Sequence, residues 1–191
     1  MDEVIDPTIV QLLKQSSVSL VTLPLWGSTR ITDYLVYKLK KISRINTIYV
    51  HDLNKKNILS NNLIVKSKFN VLVIKRYWEQ PIDFQRKVLI FAEKYNERVV
   101  TVIVVTPEMI NNVDSYFGSH TRHLDYIQYL RLLTYKQFEE MIDLRLKSEE
   151  RKMPKSIYPK IYELTHGHGA LTKYVCKYYY ENNSLDVDKL I

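Results

Sequence analysis

The stretch Val99-Val100-Thr101-Val102-Ile103-Val104-Val105-Thr106 is the most apolar run of the chain, and every residue in it is β-branched. Side chains of that shape favour an extended backbone. The run does not alternate apolar with polar positions, so it reads as a strand covered on both faces, the pattern of a parallel sheet. It is far shorter than the roughly 20 residues a membrane-spanning helix requires.

Outward from this run the pattern repeats. Residues 84–96 place Val88, Leu89, Phe91, Ala92 and Tyr95 on one helical stripe, after a turn opened by Pro81. Upstream lie a Val- and Ile-rich strand at 70–75, a short helix or loop at 54–62, and a strand at 47–50. A first strand at 18–25, a turn at 26–28 and a helix at 29–43 open the series, the helix carrying Ile31, Tyr34, Leu35, Leu39 and Ile42. Strands alternating with helices predict an α/β core with a parallel sheet flanked by helices, over residues 1–131.

After Pro107 the character changes. Asn111, Asn112, Asp114, Ser115 and Ser119 read as an exposed loop, and 126–131 is a short, polar-flanked strand-like piece. Thr134 with Gln137 matches a capping box ahead of a helix carrying Phe138, Met141, Ile142 and Leu146. Two further helices are expected at 157–165 and 170–180, joined by His166-Gly167-His168-Gly169. Residues 132–191 thus read as a small all-helical unit.

The 191 residues are 46% hydrophobic and 12% aromatic, enough for an ordinary core, and 15 tyrosines against 4 glycines exclude collagen-like and low-complexity classes. Cys176 is the single cysteine, so neither an internal disulfide nor a Cys-rich zinc cage forms, and a place inside the cell, in the cytoplasm, is expected. The net charge of +7 is uneven. From Arg30 to Arg76, eleven basic residues face only Asp33 and Asp52, while the remainder of the chain is slightly acidic. Such a block suits a phosphate backbone or an acidic protein surface if its side chains share a face. The cations concerned are Lys38, Lys40, Lys41, Arg44, Lys55, Lys56, Lys66, Lys68, Lys75 and Arg76, with Trp78 beside them. No amphipathic helix couples them to exposed apolar residues, so no membrane partner is expected.

Two C-terminal phrases carry a family resemblance: Leu130-Arg-Leu-Leu-Thr-Tyr-Lys-Gln-Phe-Glu-Glu140 and Leu164-Thr-His-Gly-His-Gly-Ala-Leu-Thr-Lys-Tyr-Val-Cys176. With the order of elements before them, they resemble the lid of AAA+ and STAND-type P-loop ATPases, especially archaeal-style ATPases and origin-recognition-type initiators. That resemblance implies a P-loop NTPase-like sheet followed by an AAA+-type helical lid.

The catalytic motifs of that family are degenerate here. A Walker A loop wraps phosphates in backbone amides, neutralises them with Lys and ligates magnesium with a hydroxyl. The matching stretch is Thr22-Leu-Pro-Leu-Trp-Gly-Ser-Thr29, in which Gly27 and Thr29 stand, Thr22 replaces the first glycine and Ser28 the lysine. Pro24 also removes an amide donor, and Leu23, Leu25 and Trp26 make the loop apolar. Arg30 is the candidate substitute cation. A Walker B strand ends in acids that hold Mg²⁺ and polarise water. Here Val71-Leu-Val-Ile runs into Lys75 and Arg76, a reversal of charge. Thr106 stands where the family places a polar sensor, Arg122 where it places an inter-subunit arginine, and Gly169-Ala-Leu-Thr lacks the lid's sensor arginine.

His120 with His123, and His166 with His168, lack the further Cys, Asp or Glu that would complete a zinc site, so no metal is expected. Cys176 reads as core. Tyr77 and Trp78, next to Lys75 and Arg76, either stack on bases or pack against a helix or a partner subunit; Tyr174, Tyr178, Tyr179 and Tyr180 offer the same base stacking, but their helical spacing favours packing in the lid or at an interface.

These losses point to a pseudo-ATPase without enzymatic activity or cofactor, a structural or regulatory subunit of a replication- or repair-type nucleic-acid assembly, similar to clamp-loader δ-type subunits. Protein subunits and DNA are the expected partners. Two alternatives are a stand-alone DNA-binding protein using the 30–76 block, and a divergent ATP-binding protein that needs a partner for hydrolysis.

Overall fold

A computed structural model describes residues 2–23, 28–50 and 59–186. They divide into two compact units, one up to Leu130 and one from Arg131.

The first unit is built on five parallel strands, β1 (Val18–Val21), β2 (Ile45–Val50), β3 (Phe69–Ile74), β4 (Val99–Val105) and β5 (Tyr126–Tyr129), in the spatial order β2-β3-β4-β1-β5. β4 is central and all seven of its residues are buried. Period-two alternation sends Val99, Ile103 and Val105 to one face and Val100, Val102 and Val104 to the other. Helices α1 (Asp2–Leu13) and α2 (Ser28–Lys40) cover the second face through Ile5, Leu12, Leu35, Val36 and Leu39. Helix α3 (Ile82–Lys94) covers the first face through Val88, Leu89 and Phe91, joined by Met109 of α4 (Pro107–Asn111). The α/β core expected from the alternation is therefore present.

Three readings are corrected. Helix α1 precedes the first expected element; Pro7 in its middle weakens its helical signal, and the packing of Ile5, Thr8 and Leu12 holds it in place. The loop read at 111–119 contains a turn of helix, α5 (Val113–Tyr116), and Phe117 is buried in the core despite its polar neighbours. The helix expected at 29–43 ends at Lys40, because the residues after it turn the chain into β2, Ile45 N–H donating to Ile42 O at 2.9 Å. His51, Asp52, Lys55 and Lys56 lie outside the described residues, as does most of the 54–62 segment; Asn61–Leu63 is a single 3-10 turn.

The second unit packs α6 (Tyr135–Ser148), α7 (Tyr158–Thr165) and α8 (Gly169–Asn182) around Phe138, Ile142, Tyr158, Ile161, Val175 and Tyr179. The capping box forms: Gln137 N–H donates to Thr134 Oγ1 at 3.4 Å and Thr134 N–H to Gln137 Oε1 at 3.0 Å. His166 takes the left-handed conformation after α7, and His168 caps α8 by accepting from Leu171 N–H at 3.3 Å. Among the described residues no helix is long and apolar enough to cross a membrane.

Gly167 stands at φ +76°, and a Cβ there would lie 2.2 Å from the Leu133 carbonyl oxygen, which itself is close because Leu133 N–H donates to Gly167 O. Gly167→Ala is expected to destabilise the helical unit by at least about 3 kcal/mol, through strain and overlap together. Urea unfolding followed by circular dichroism measures it; a loss below about 0.5 kcal/mol contradicts the packing described.

Candidate functional site

In a parallel sheet the carboxyl ends of the strands and the helix starts beyond them gather ligand-binding groups. Several of the predicted site residues lie at that edge within the described part of the first unit. Thr22 follows β1, with its N–H donating to Val105 O at 3.0 Å and its hydroxyl to the Leu23 carbonyl at 3.0 Å, so it is buried and internally bonded. Gly27 lies outside the described residues, and Ser28 opens α2. Thr29 is half-buried, its carbonyl accepting from Thr32 Oγ1 at 2.9 Å, and Arg30 is exposed. Thr106 follows β4 and precedes α4, where its carbonyl accepts from Met109 N–H at 3.1 Å.

Lys75 and Arg76 follow β3. The Lys75 ammonium lies 3.4 and 3.5 Å from the two carboxylate oxygens of Asp33, one turn into α2 beyond Thr29. The Lys75 side chain is only 11% exposed and that of Asp33 47% exposed. Tyr49, the penultimate residue of β2, donates its hydroxyl to the same Asp33 carboxylate. Burial first, and the hydrogen bond to Asp33 second, push the Tyr49 phenol above its ordinary range, so it remains a donor. Asp33 is thus shared by a cation and a phenol. It is not among the site residues expected from sequence, although its being one of only two acids in the basic block is the available signal.

Arg76 adopts φ +52°, pairs with Glu79 at 3.4 Å and offers its carbonyl to Gln80 Nε2 at 3.0 Å. That left-handed residue turns the chain so that Tyr77 enters the core, fully buried, its hydroxyl donating to Gln85 O at 3.3 Å. Trp78 packs against both hydrophobic layers. Of the two alternatives for Tyr77, it therefore packs in the core and does not stack on bases. Cys176 is likewise packed in the helical unit, and burial pushes its thiol up to about 11, away from nucleophilic use.

The basic block divides between the two edges of the sheet. Lys38 is held by Asp2 at 2.5 Å and Asp6 at 2.9 Å, which staple α1 to α2. Lys40 at the end of α2, Lys41 and Arg44 in the turn from α2 into β2, and Lys66 and Lys68 before β3, are exposed and lie at the amino-terminal edge, opposite Lys75 and Arg76. Arg122, half-buried, also lies at the amino-terminal edge, in the 3-10 turn Thr121–Leu124 ahead of β5.

Neither a protein-family model nor a curated protein matches this chain. Among solved structures it is similar to the Aeropyrum pernix ORC1 protein in complex with DNA, with a TM-score of 0.62 and 11% identity over 99% of this chain and 63% of that one. It is similar to the Thermotoga maritima RuvB Holliday junction branch migration motor, at 0.60 and 15% over 100% of this chain and 67% of that one. It is also similar to the Aeropyrum pernix ORC2 protein in its ADP form, at 0.60 and 12% over 99% and 66%. The fold is that of AAA+ P-loop NTPases. This chain spans about two thirds of the length of those structures.

The AAA+ fold implies a magnesium nucleotide at the carboxyl edge of the sheet. The donor set at the end of β3 does not fit a divalent ion: Lys75 and Arg76 are cations, and the Asp33 carboxylate in reach already serves Lys75 and Tyr49. Among the described residues, no three His, Cys, Asp or Glu side chains gather as a metal cage.

His123 is buried at the opposite edge, its Nδ1 2.7 Å from Thr101 Oγ1 and its carbonyl accepting from Ser19 Oγ at 2.7 Å. His120 meets Glu93 instead, so the two histidines serve separate structural contacts. Burial, followed by the charges of His120 and Arg122, lowers the His123 pKa from 6.5 to about 4. The folded state then binds fewer protons than the unfolded state between those values. Folding stability is expected to fall by about 2.5 kcal/mol as pH drops from 6.5 to 4, and His123→Asn to flatten that part of the profile. Urea unfolding across this window measures it; an unchanged slope in the variant contradicts a buried neutral imidazole.

Proposed function

We propose that this chain is a catalytically inactive AAA+-type pseudo-ATPase that serves as a structural or regulatory subunit of a nucleic-acid-associated assembly. The observation that carries the reading is the Lys75 and Asp33 pair at the end of β3. An AAA+ site places acids there to hold Mg²⁺ and orient water. This chain places a cation there and supplies the countercharge from α2, so the position is neutralised from within the protein. The apolar sequence Leu23-Pro24-Leu25-Trp26 ahead of α2 adds to this, because proline offers no amide to a phosphate. Association with nucleic acid is supported by the similar structures, one of a protein in complex with DNA and one of a Holliday junction motor, and by the exposed cations of this chain.

Calorimetric titration of the purified protein with ATP and Mg²⁺, combined with a phosphate-release assay, tests the reading. Neither saturable binding nor turnover is expected. Mg²⁺-dependent binding in the micromolar range would overturn it in favour of a divergent ATP site in which Arg30 supplies the cation and Thr29 or Thr106 the hydroxyl.

A further inference from the structure

The amino-terminal edge of the sheet carries its own organisation. Because all five strands are parallel, the turns that lead into them line up along one rim, in the same order as the strands. Arg44 leads into β2, Lys68 into β3 and Arg98 into β4, on three neighbouring strands. All three are exposed, as are Lys41 and Lys66 beside them. Among the described residues, none of these five meets a carboxylate, in contrast to Lys38, Lys75 and Arg76. Glu97, the acid that adjoins Arg98 in the chain, is exposed as well.

A buried amide network fixes the backbone of this rim. Asn70, the second residue of β3, is fully buried. Its Nδ2 lies 3.0 Å from Lys68 O, 3.1 Å from Arg98 O and 3.2 Å from Val65 O, and its Oδ1 accepts from Val65 N–H at 2.9 Å. The matching residue of β2, Asn46, donates to Asn70 Oδ1 and to Leu63 O, each at 2.8 Å. Phe69 N–H donates to Arg44 O at 3.0 Å. The carbonyls of Arg44, Lys68 and Arg98 are thus tied into one network, and their side chains leave from a rigid base.

We propose that this amino-terminal rim, centred on Arg44, Lys68 and Arg98 with Lys41 and Lys66, is a docking surface for the phosphate backbone of nucleic acid. The inference rests on the nucleic-acid association proposed above and places it at the sheet edge opposite Lys75 and Arg76. Neighbouring strands lie about 4.8 Å apart, so three strand starts span about 10 Å. A duplex carries one charge per ~1.7 Å of axis, and a rim of that length faces several phosphates at once. A protein partner fits less well, because protein interfaces are built around an apolar or aromatic centre and are depleted in Lys. Within the three turns, Val65 is the large apolar side chain that reaches the surface, and it is only 36% exposed. Nucleic-acid interfaces are polar and positively charged.

Fluorescence anisotropy with a short random-sequence DNA duplex, titrated at rising salt, tests the proposal on the full chain. The triple variant Lys41→Gln, Arg44→Gln, Lys68→Gln is expected to bind more than tenfold more weakly at low salt, with a log–log salt slope shallower by about 2 to 3, close to 0.9 for each lost phosphate contact. Arg76→Gln, at the other edge, is expected to bind within about twofold of the unsubstituted chain. Should the triple variant not fold, single Arg44→Gln and Lys68→Gln variants are each expected to reduce the slope by about 0.9. Unchanged binding in the rim variants while the unsubstituted chain binds DNA overturns the placement and leaves the association with nucleic acid standing. Equal binding to poly-glutamate at matched salt overturns the choice of nucleic acid. No DNA binding by the unsubstituted chain overturns both the rim and the association, whereas the loss of nucleotide binding is tested separately by the ATP titration.

Discussion

The seven buried residues of β4 constrain everything else in the first unit. Each polar group of this strand's backbone has no access to water and must find a partner in β3 on one side or β1 on the other. Its side chains must find apolar cover on both faces, which α1 and α2 supply on one and α3 on the other. A chain that meets those demands has little freedom left in its interior. Variation is pushed to the two rims, where strands begin and end and where side chains can be exchanged without disturbing the hydrophobic layers.

The two rims have opposite characters. At the carboxyl edge Lys75, Asp33 and Tyr49 satisfy one another, and Thr22 donates to the carbonyls of Leu23 and Val105. These groups already have partners, which is the physical basis for reading the nucleotide position as silent. At the amino edge a buried asparagine holds the turns while the cations they carry stand without acidic partners among the described residues. The first unit has the AAA+ fold, and among the described cations of the basic block that meet no carboxylate, Arg30 stands at the carboxyl edge while Lys40, Lys41, Arg44, Lys66 and Lys68 stand at the amino edge.

The sheet is legible in the sequence because the wholly β-branched run 99–106 and the Val- and Ile-rich run 70–75 favour extended backbone. The capping box at Thr134 is legible because capping is local, depending on two side chains three residues apart. Helix α1 is not, since its stability comes from Ile5 and Leu12 meeting the sheet and from Asp2 and Asp6 meeting Lys38, contacts remote in sequence. The charge reversal at Lys75 is visible in the sequence, whereas its neutralisation by Asp33 is not, because that pair joins residues 42 positions apart through the packing of α2 beside the sheet. The basic block is visible as composition, but only parallel topology shows that its members part to opposite edges. His123 shows the same limit: a histidine three residues from another suggests a ligand pair, and only burial reveals a core hydrogen bond to Thr101.

Lys75 and Asp33 pair at the end of β3, at the position where an AAA+ site holds Mg²⁺. A double-mutant cycle on Asp33→Asn and Lys75→Met, read by urea unfolding with and without Mg-ATP, tests it most directly. A favourable coupling of about 0.5 to 1 kcal/mol is expected, modest because Asp33 is partly solvated, with the same value whether or not Mg-ATP is present. Zero coupling, or stabilisation of the unsubstituted chain by Mg-ATP that Lys75→Met abolishes, would contradict it.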